Sequence, residues 1–331
     1  MLMNVRFAGI AFADGCALSG PLPVKIVTMV VVFGGGGFFG RRLVHRLTAQ
    51  GMTVRVAVRH PDHARIELQS IGFDRVTVVP ADVRDQASVA AAIAGADAVV
   101  NTVSAYVENG GVTFEAVHVQ GAETVAREAV AAGVARLVLV SGIGADADSR
   151  FPYIRARGRG EQVVQQTFPE ATIVRPGAMF GPGDALFSTL AELIKLLPVL
   201  PLIGSGDTRL QPVFVEDVTE AVARILTDPR TVGRTYELAG PGVYALRELV
   251  TMTLHLLGKR RLLIPVPFAV AEIQARLFEL LPNPPLTTGQ VDLLKADNLA
   301  SRTLPGLQEL KIQPKTVEEV VPTYIGTRPP H

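Results

Sequence analysis

Apolar positions along the chain gather into short, nearly unbroken runs separated by stretches of helical period. Residues 26–33 (Ile-Val-Thr-Met-Val-Val-Val-Phe) carry a single polar side chain. A run without a polar face predicts a strand buried on both sides, as in the interior of a parallel sheet. Similar runs at 53–58, 76–80, 98–103, 137–141 and 171–174 predict five more strands. Between them, 41–50 places Leu43, Val44 and Leu47 on one helical face and stops at Gly51. Helical patterns also cover 88–93, 114–132 and 160–167. Strand and helix alternate regularly, which builds right-handed βαβ units and an α/β fold with a doubly wound parallel sheet. After residue 180 prolines accumulate, at 182, 198, 201 and 212 and again from 229 to 285, and helices at 217–227 and 246–257 sit among irregular links. This predicts three parts: an extension at 1–25, a sheet domain at 26–180, and a smaller lobe at 181–331 interleaved with it. The lobe is expected over the carboxyl ends of the strands, where such folds bind ligands.

The most informative stretch follows the first run: Gly34-Gly35-Gly36-Gly37-Phe38-Phe39-Gly40. It fits G-x-G-x-x-G at 35, 37 and 40, and G-x-x-G-x-x-G at 34, 37 and 40. The first glycine permits a tight turn, the middle one lets the backbone approach a pyrophosphate, and the last permits close helix–sheet packing. Between a Val-rich strand and a helix, this is a Rossmann dinucleotide site, with amides at the helix start facing phosphate. An NAD site usually places a carboxylate at the end of the second strand. Here Val56-Ala57-Val58-Arg59-His60 has none before Asp62. Arg59 is placed to meet a 2′-phosphate, and Arg41 is placed to help from the first helical turn, since a guanidinium offers a planar fork of donors. The pattern therefore favours NADP(H), with NAD(H) left open. Asp82-Val83, after the third strand, is expected at the adenine; the competing reading of Asp82 is a helix-entry residue.

Composition narrows the classes. Of 331 residues, 48% are hydrophobic and 19% charged, and the net charge is +1. That excludes a disordered chain and gives no general pull toward nucleic acid or anionic lipid. Mean hydropathy of +0.31 prompts a search for membrane spans. The stretch 187–203 is broken by Glu192, Lys195, Pro198 and Pro201, and 262–281 by Pro265, Pro267, Glu272, Arg276 and Glu279, so neither reads as a span. The second remains a candidate surface for a hydrophobic partner, against the plainer reading as lobe core. Cys16 alone excludes an intrachain disulfide framework and a Cys-rich metal site. His45, His60, His63, His255 and His331 form no metal-ligand spacing, so no metal is expected and surface roles are read for them. Residues 1–25, with Arg6 and Asp14 interrupting the apolar patch, read as an extension and not as a signal peptide.

With these motifs in view, the chain resembles the extended and atypical short-chain dehydrogenase/reductases. The resemblance rests on the glycine loop, Asp82-Val83, Tyr153-x-x-x-Arg157, Ile173-Val174-Arg175-Pro176-Gly177, Phe180-Gly181-Pro182-Gly183-Asp184 and 211–218. It covers about residues 26 to 320. Within that superfamily the chain is similar to the nucleotide-binding accessory subunits of respiratory complex I and their bacterial relatives, through Val117-His118-Val119-Gln120-Gly121-Ala122, Phe168-Pro169-Glu170-Ala171-Thr172-Ile173 and Leu281-Pro282-Asn283-Pro284-Pro285-Leu286-Thr287. The resemblance implies cofactor contacts at Gly34, Gly35, Gly37, Phe38, Phe39, Gly40, Arg41, Arg59, Asp82, Val83, Tyr153, Arg157 and Pro176. It implies a cytoplasmic protein, peripheral to the inner membrane, with complex I subunits as partners and 262–286 as the docking surface.

Active members pair a proton-transferring Tyr with a Lys four residues later, on one helix face, and a Ser or Thr orients the substrate. Here Tyr153 stands in place, but position 157 is Arg, the hydroxyl position falls closest to Gly142, and His118 replaces a supporting Asn. Ser141 is the nearest hydroxyl. Tyr153, Arg157 and Ser141 are thus the candidate catalytic residues, with a vestigial set as the alternative. Arg209 and Gln211 are placed toward the interlobe cleft, and Asp217-x-x-Glu220 reads as a helix capping box. Two functions stay open: a dinucleotide-binding accessory subunit with weak or no turnover, and an NAD(P)-dependent reductase, epimerase or dehydratase acting on a carbonyl or nucleotide-sugar substrate.

Overall fold

In the structure, a computed structural model, the alternate side chains of β1 (Met29–Phe33) enter opposite cores: Val30 and Val32 join one cluster, Val31 and Phe33 the other. A strand with no polar face is thus buried on both. The residues described are 27–326, apart from 72, 73, 282, 283, 285 and 302. The extension read at 1–25, Cys16, His331 and Pro282, Asn283 and Pro285 of one quoted motif lie outside the described residues.

β1 pairs in parallel with β2 (Thr53–Val58) on one side and β4 (Ala98–Asn101) on the other. Beyond β2 lies β3 (Val76–Pro80); beyond β4 follow β5 (Arg136–Val140), β6 (Thr172–Pro176) and β7 (Thr235–Leu238). The sheet has seven strands in the order β7-β6-β5-β4-β1-β2-β3. Strand order reverses at β1, and the crevice between β1 and β4 opens at their carboxyl ends. One face is covered by α1 (Phe38–Ala49) and α7 (Val215–Thr227), through Leu43, Val44 and Leu47 against Val218, Val222 and Ile225. The other is covered by α3 (Gln86–Ile93), α4 (Gly121–Ala131) and α5 (Pro152–Thr167). β7 and α7 were not foreseen in the sheet domain; both come from chain beyond residue 200.

Several boundaries differ from expectation. α1 begins at Phe38, with Gly37 as its N-cap. The helix to which 160–167 belongs, α5, begins at Pro152 and so also carries Tyr153 and Arg157; proline at the first helical position loses no hydrogen bond. The helix expected over 114–132 opens as a π-helical stretch, Glu115–Gln120, before α4. Asp217 and Glu220 do not cap α7, which begins two residues earlier. Asp217 accepts the Lys315 backbone N–H at 2.8 Å, and Glu220 pairs with Arg46 at 3.0 Å and Arg224 at 2.7 Å.

The smaller lobe packs α6 (Phe187–Leu196) and α8 (Leu246–Leu256) around Phe187, Ile194, Leu200, Leu202 and Leu249. Its contacts with the sheet domain include loops at the strands' carboxyl ends: Asn298 donates to Ile143 O beyond β5, and Gly289 lies against Tyr106 beyond β4. α9 (Phe268–Phe278) buries only Ala271 and Ala275 and exposes Val270, Ile273 and Leu277. Leu262, Ile264, Leu280 and Leu281 continue that apolar surface. Among the described residues no helix is long and apolar enough to cross a membrane.

Candidate dinucleotide cleft and its inner end

The chain leaves β1 through Gly34, at φ +79°, a conformation that side chains resist. Gly34 donates to Ala57 O on β2 at 3.0 Å, and its carbonyl accepts from Gly37 at 3.0 Å. α1 then starts so close to the turn that a Cβ on Gly40 would stand 2.3 Å from Gly34 O and 2.7 Å from Gly35 Cα. Gly37 brings no side chain to cap α1, so the first-turn amides are left for an anion.

In front of this loop lies a cavity of about 320 Å³. Gly34, Gly36 and Gly37 form its floor, Arg59, His60 and His63 its wall beyond β2, and Asp82, Val83 and Arg84 its wall beyond β3. Thr102 to Ala105 close the side beyond β4. A glycine floor for a diphosphate, continued by the Arg59 guanidinium and by Asp82 and Val83 beyond β3, has the chemistry that a nicotinamide dinucleotide needs. The fit rests on glycines that a Cβ would fill.

Of the expected cofactor residues, Gly34, Gly37, Arg59, Asp82 and Val83 line this cavity. Arg59 is exposed and makes no hydrogen bond or ion pair with a described residue. Arg41 is held by Glu67 at 2.8 Å. Gly35 faces Val56, Phe39 is buried in the core, and Phe38 carries the Arg42 guanidinium 4.3 Å from its ring centroid. Asp82 is gripped by Arg84, whose Nε and Nη2 donate at 3.0 and 2.6 Å. That hydrogen bonding holds the Asp82 carboxyl below its usual range, against a smaller opposing effect of burial. His60, His63 and Arg84 were missed as cleft residues. Proximity to a strand end was the available signal for the histidines, and adjacency to Asp82-Val83 for Arg84. Arg209 and Gln211 do not reach the cavity: Asp297 holds Arg209 at 2.6 Å, and Gly240 O and Ala300 N hold the Gln211 amide.

Tyr153, Arg157, Ser141 and Pro176 lie at the inner end, around Gly142. Arg157 Nη2 donates to Ser104 Oγ at 3.1 Å, linking this cluster to the cavity wall. Ser141 Oγ is buried without a hydrogen-bond partner, and Pro176 O accepts from Ile143 at 3.0 Å. Tyr153 is 3% exposed. Tyr106 stacks on it at 5.4 Å, and Phe114 and His118 meet it edge-on at 5.4 and 5.5 Å. Burial pushes the phenol well above its usual pKa, and Arg157 only partly opposes this. The Tyr153 ring is thus packed against three other rings, and burial favours the neutral phenol. Among the described residues no cluster of His, Cys, Asp and Glu suits a metal ion.

His118 Nε2 lies 3.0 Å from Ala105 O. Burial, helped by Arg157, lowers its pKa to about 4. The folded protein therefore binds this proton more weakly than the unfolded chain, whose histidine titrates near 6.5. Stability is fully present above about pH 6.5 and falls as pH drops toward 4. The melting temperature of wild-type protein is expected to decline across that window, and that of His118→Asn to decline less; parallel curves would contradict the assignment.

A family model described as NAD(P)H-binding matches residues 34–190. The chain is 34% identical over 299 residues to NADH dehydrogenase [ubiquinone] 1 alpha subcomplex subunit 9, mitochondrial, of Arabidopsis thaliana, covering 86% of this chain and 74% of that protein. It is 32% identical over 246 residues to a ceramide reductase of Caulobacter vibrioides, covering 72% and 74%. Among solved structures, DesIV, a dTDP-glucose 4,6-dehydratase of Streptomyces venezuelae with NAD and TYD bound, aligns with a TM-score of 0.69 at 22% identity. That alignment covers 90% of this chain and 96% of that one, a likeness of fold.

Proposed function

The chain belongs to the family of NADH dehydrogenase [ubiquinone] 1 alpha subcomplex subunit 9, and from that premise we propose that it is an accessory-type subunit of respiratory complex I that retains NADPH with weak or no turnover. The observation that carries this reading is one juxtaposition: an open glycine cleft beside a buried tyrosine packed against three aromatic rings. Gly34, Gly37 and the first amides of α1 hold the pyrophosphate, Val83 and Asp82 border the adenine, and Arg59 takes the 2′-phosphate. A bound nicotinamide supplies a hydride where an acceptor reaches it; here the neighbouring phenol is enclosed. Binding without chemistry is still useful, since a ligand at a thousandfold excess over Kd stabilises the fold by about 4 kcal/mol. The exposed apolar face of α9 with its flanking segments, within 262–286, is the proposed docking surface for complex I subunits at the cytoplasmic face of the inner membrane. Purified complex I that lacks this chain would count against that partner.

A reductase is the second reading, favoured by the relative named ceramide reductase and by Tyr153 and Arg157 sharing one face of α5. Two measurements separate the readings. Denatured pure protein is expected to release NADPH, and the intact protein to show no carbonyl-dependent NADPH oxidation. Arg59→Ala is expected to weaken NADPH binding about 10- to 100-fold and leave NADH within about threefold. An equal loss for both dinucleotides would remove Arg59 from phosphate recognition.

A further inference from the structure

Gly142 and Arg157 fit each other as a size-matched pair. A Cβ at 142 would stand 2.3 Å from Arg157 Nη1 and 3.5 Å from its Cζ. The guanidinium therefore fills the space in front of the segment that leaves β5. It is held there: Nη2 donates to Ser104 Oγ, and Cζ lies 5.1 Å from the Tyr153 ring centroid. Burial disfavours its charge, and Tyr153, Tyr106 and Glu161 more than offset that.

Hydrogen bonding accounts for only part of this seat. Arg157 Nε is buried without a partner, as are Ser141 Oγ and Asn298 Oδ1. Asn298 Nδ2 donates to Ile143 O at 3.0 Å, so all three orphaned atoms lie about the segment 141–143. Unpaired buried polar atoms cost stability, and a cluster of them calls for a reason other than stability. Arg157 at this point packs on the ring of Tyr153 together with Tyr106, Phe114 and His118.

Resting on the accessory-subunit reading, we propose that Arg157, seated against Gly142, closes the position in which a carbonyl substrate would meet Tyr153. A carbonyl reduced here would take a hydride from a bound nicotinamide at its carbon and the Tyr153 phenolic proton at its oxygen, giving an alcohol, the oxidised dinucleotide and a tyrosinate that regains its proton from water. The oxygen needs the space beside residue 142 that the guanidinium holds. The pair sets the specificity of the site against carbonyl acceptors.

The test is a thermal cycle on cofactor-free protein, followed by a dione assay. Gly142→Ala is expected to lower the melting temperature by about 4 °C with Arg157 in place, and by under about 1 °C in an Arg157→Lys background. The double variant Gly142→Ser/Arg157→Lys is expected to oxidise NADPH with butane-2,3-dione at least about tenfold faster than wild type, with the gain lost on Tyr153→Phe. Equal thermal shifts in the two backgrounds overturn the proposal. So does a folded, NADPH-binding double variant no faster than wild type. If the double variant does not fold, Gly142→Ala over Arg157→Ala decides by the same thermal comparison. Wild-type protein that reduces the dione overturns both this proposal and the reading beneath it. Failure to bind any dinucleotide overturns that reading alone, and the thermal cycle still decides the pair.

Discussion

Gly40→Ala is expected to cripple dinucleotide binding. A methyl at this position meets only backbone: Gly34 O at 2.3 Å, Gly35 Cα at 2.7 Å and the Gly34 carbonyl carbon at 2.9 Å. No rotamer relieves that overlap. Either α1 moves off the sheet or the turn at Gly34 opens, and both displace the amides that face the phosphates. NADPH affinity is expected to fall more than about 100-fold, the equivalent of losing two charge-assisted contacts, and the melting temperature by about 4 °C from overpacking. Gly37→Ala is the control for packing, since its Cβ meets Gly34 O at 3.3 Å and nothing else within contact distance. It is expected to melt close to wild type. Titration calorimetry and thermal melts read both effects; a Gly40→Ala protein that binds NADPH as wild type does would contradict the loop geometry.

The largest expected loss of stability comes from Arg175→Leu. Arg175 on β6 donates through Nε and Nη2 to Glu161 of α5, at 3.0 and 2.5 Å, and lies 3.5 Å from Glu237 on β7. Both carboxylates are buried, and Glu237 also accepts the Ser301 backbone N–H. Burial opposes the charge on Arg175; hydrogen bonding to Glu161 and the fields of both carboxylates more than offset it. Taking the guanidinium away leaves two buried negative charges facing each other's side of β6. Breaking a buried pair from one side costs about 3–5 kcal/mol, which lowers the melting temperature by at least about 6 °C. Arg46→Ala, which removes the surface pairing with Glu220, is expected to cost less than about 1 kcal/mol. Chemical denaturation measures both; similar costs would contradict the buried triad.

The legible parts of the fold were those fixed by local pattern. The runs that became β1, β4, β5 and β6 carry their burial on both faces in the residues themselves, and the glycine loop states its turn, its phosphate approach and its helix packing in one heptad. What stayed illegible depended on distant chain. Thr235–Leu238 is four residues with a glutamate inside, and becomes a sheet strand only because β6 offers it an open edge and Arg175 neutralises that glutamate. The early start of α5 was masked by arginines and by Gly160, which is glycine because His118 O would stand 2.0 Å from its Cβ. At the candidate site, Arg157 and Gly142 read as two separate departures from a catalytic set. Space makes them one contact. The enclosure of Tyr153 draws on Tyr106, whose loop position carries no periodic signal, and on Phe114 at the start of a helix whose pattern does not show what its first residue touches. His60 and His63 looked like surface histidines until the end of β2 brought them to the cleft wall.

The most direct measurement of the central claim is calorimetric titration of NADPH and of NADH into cofactor-free wild-type protein. One-to-one saturating heat, tighter for NADPH, with a rise in melting temperature, is the predicted result. No heat and no thermal shift with either dinucleotide at millimolar concentration would contradict it.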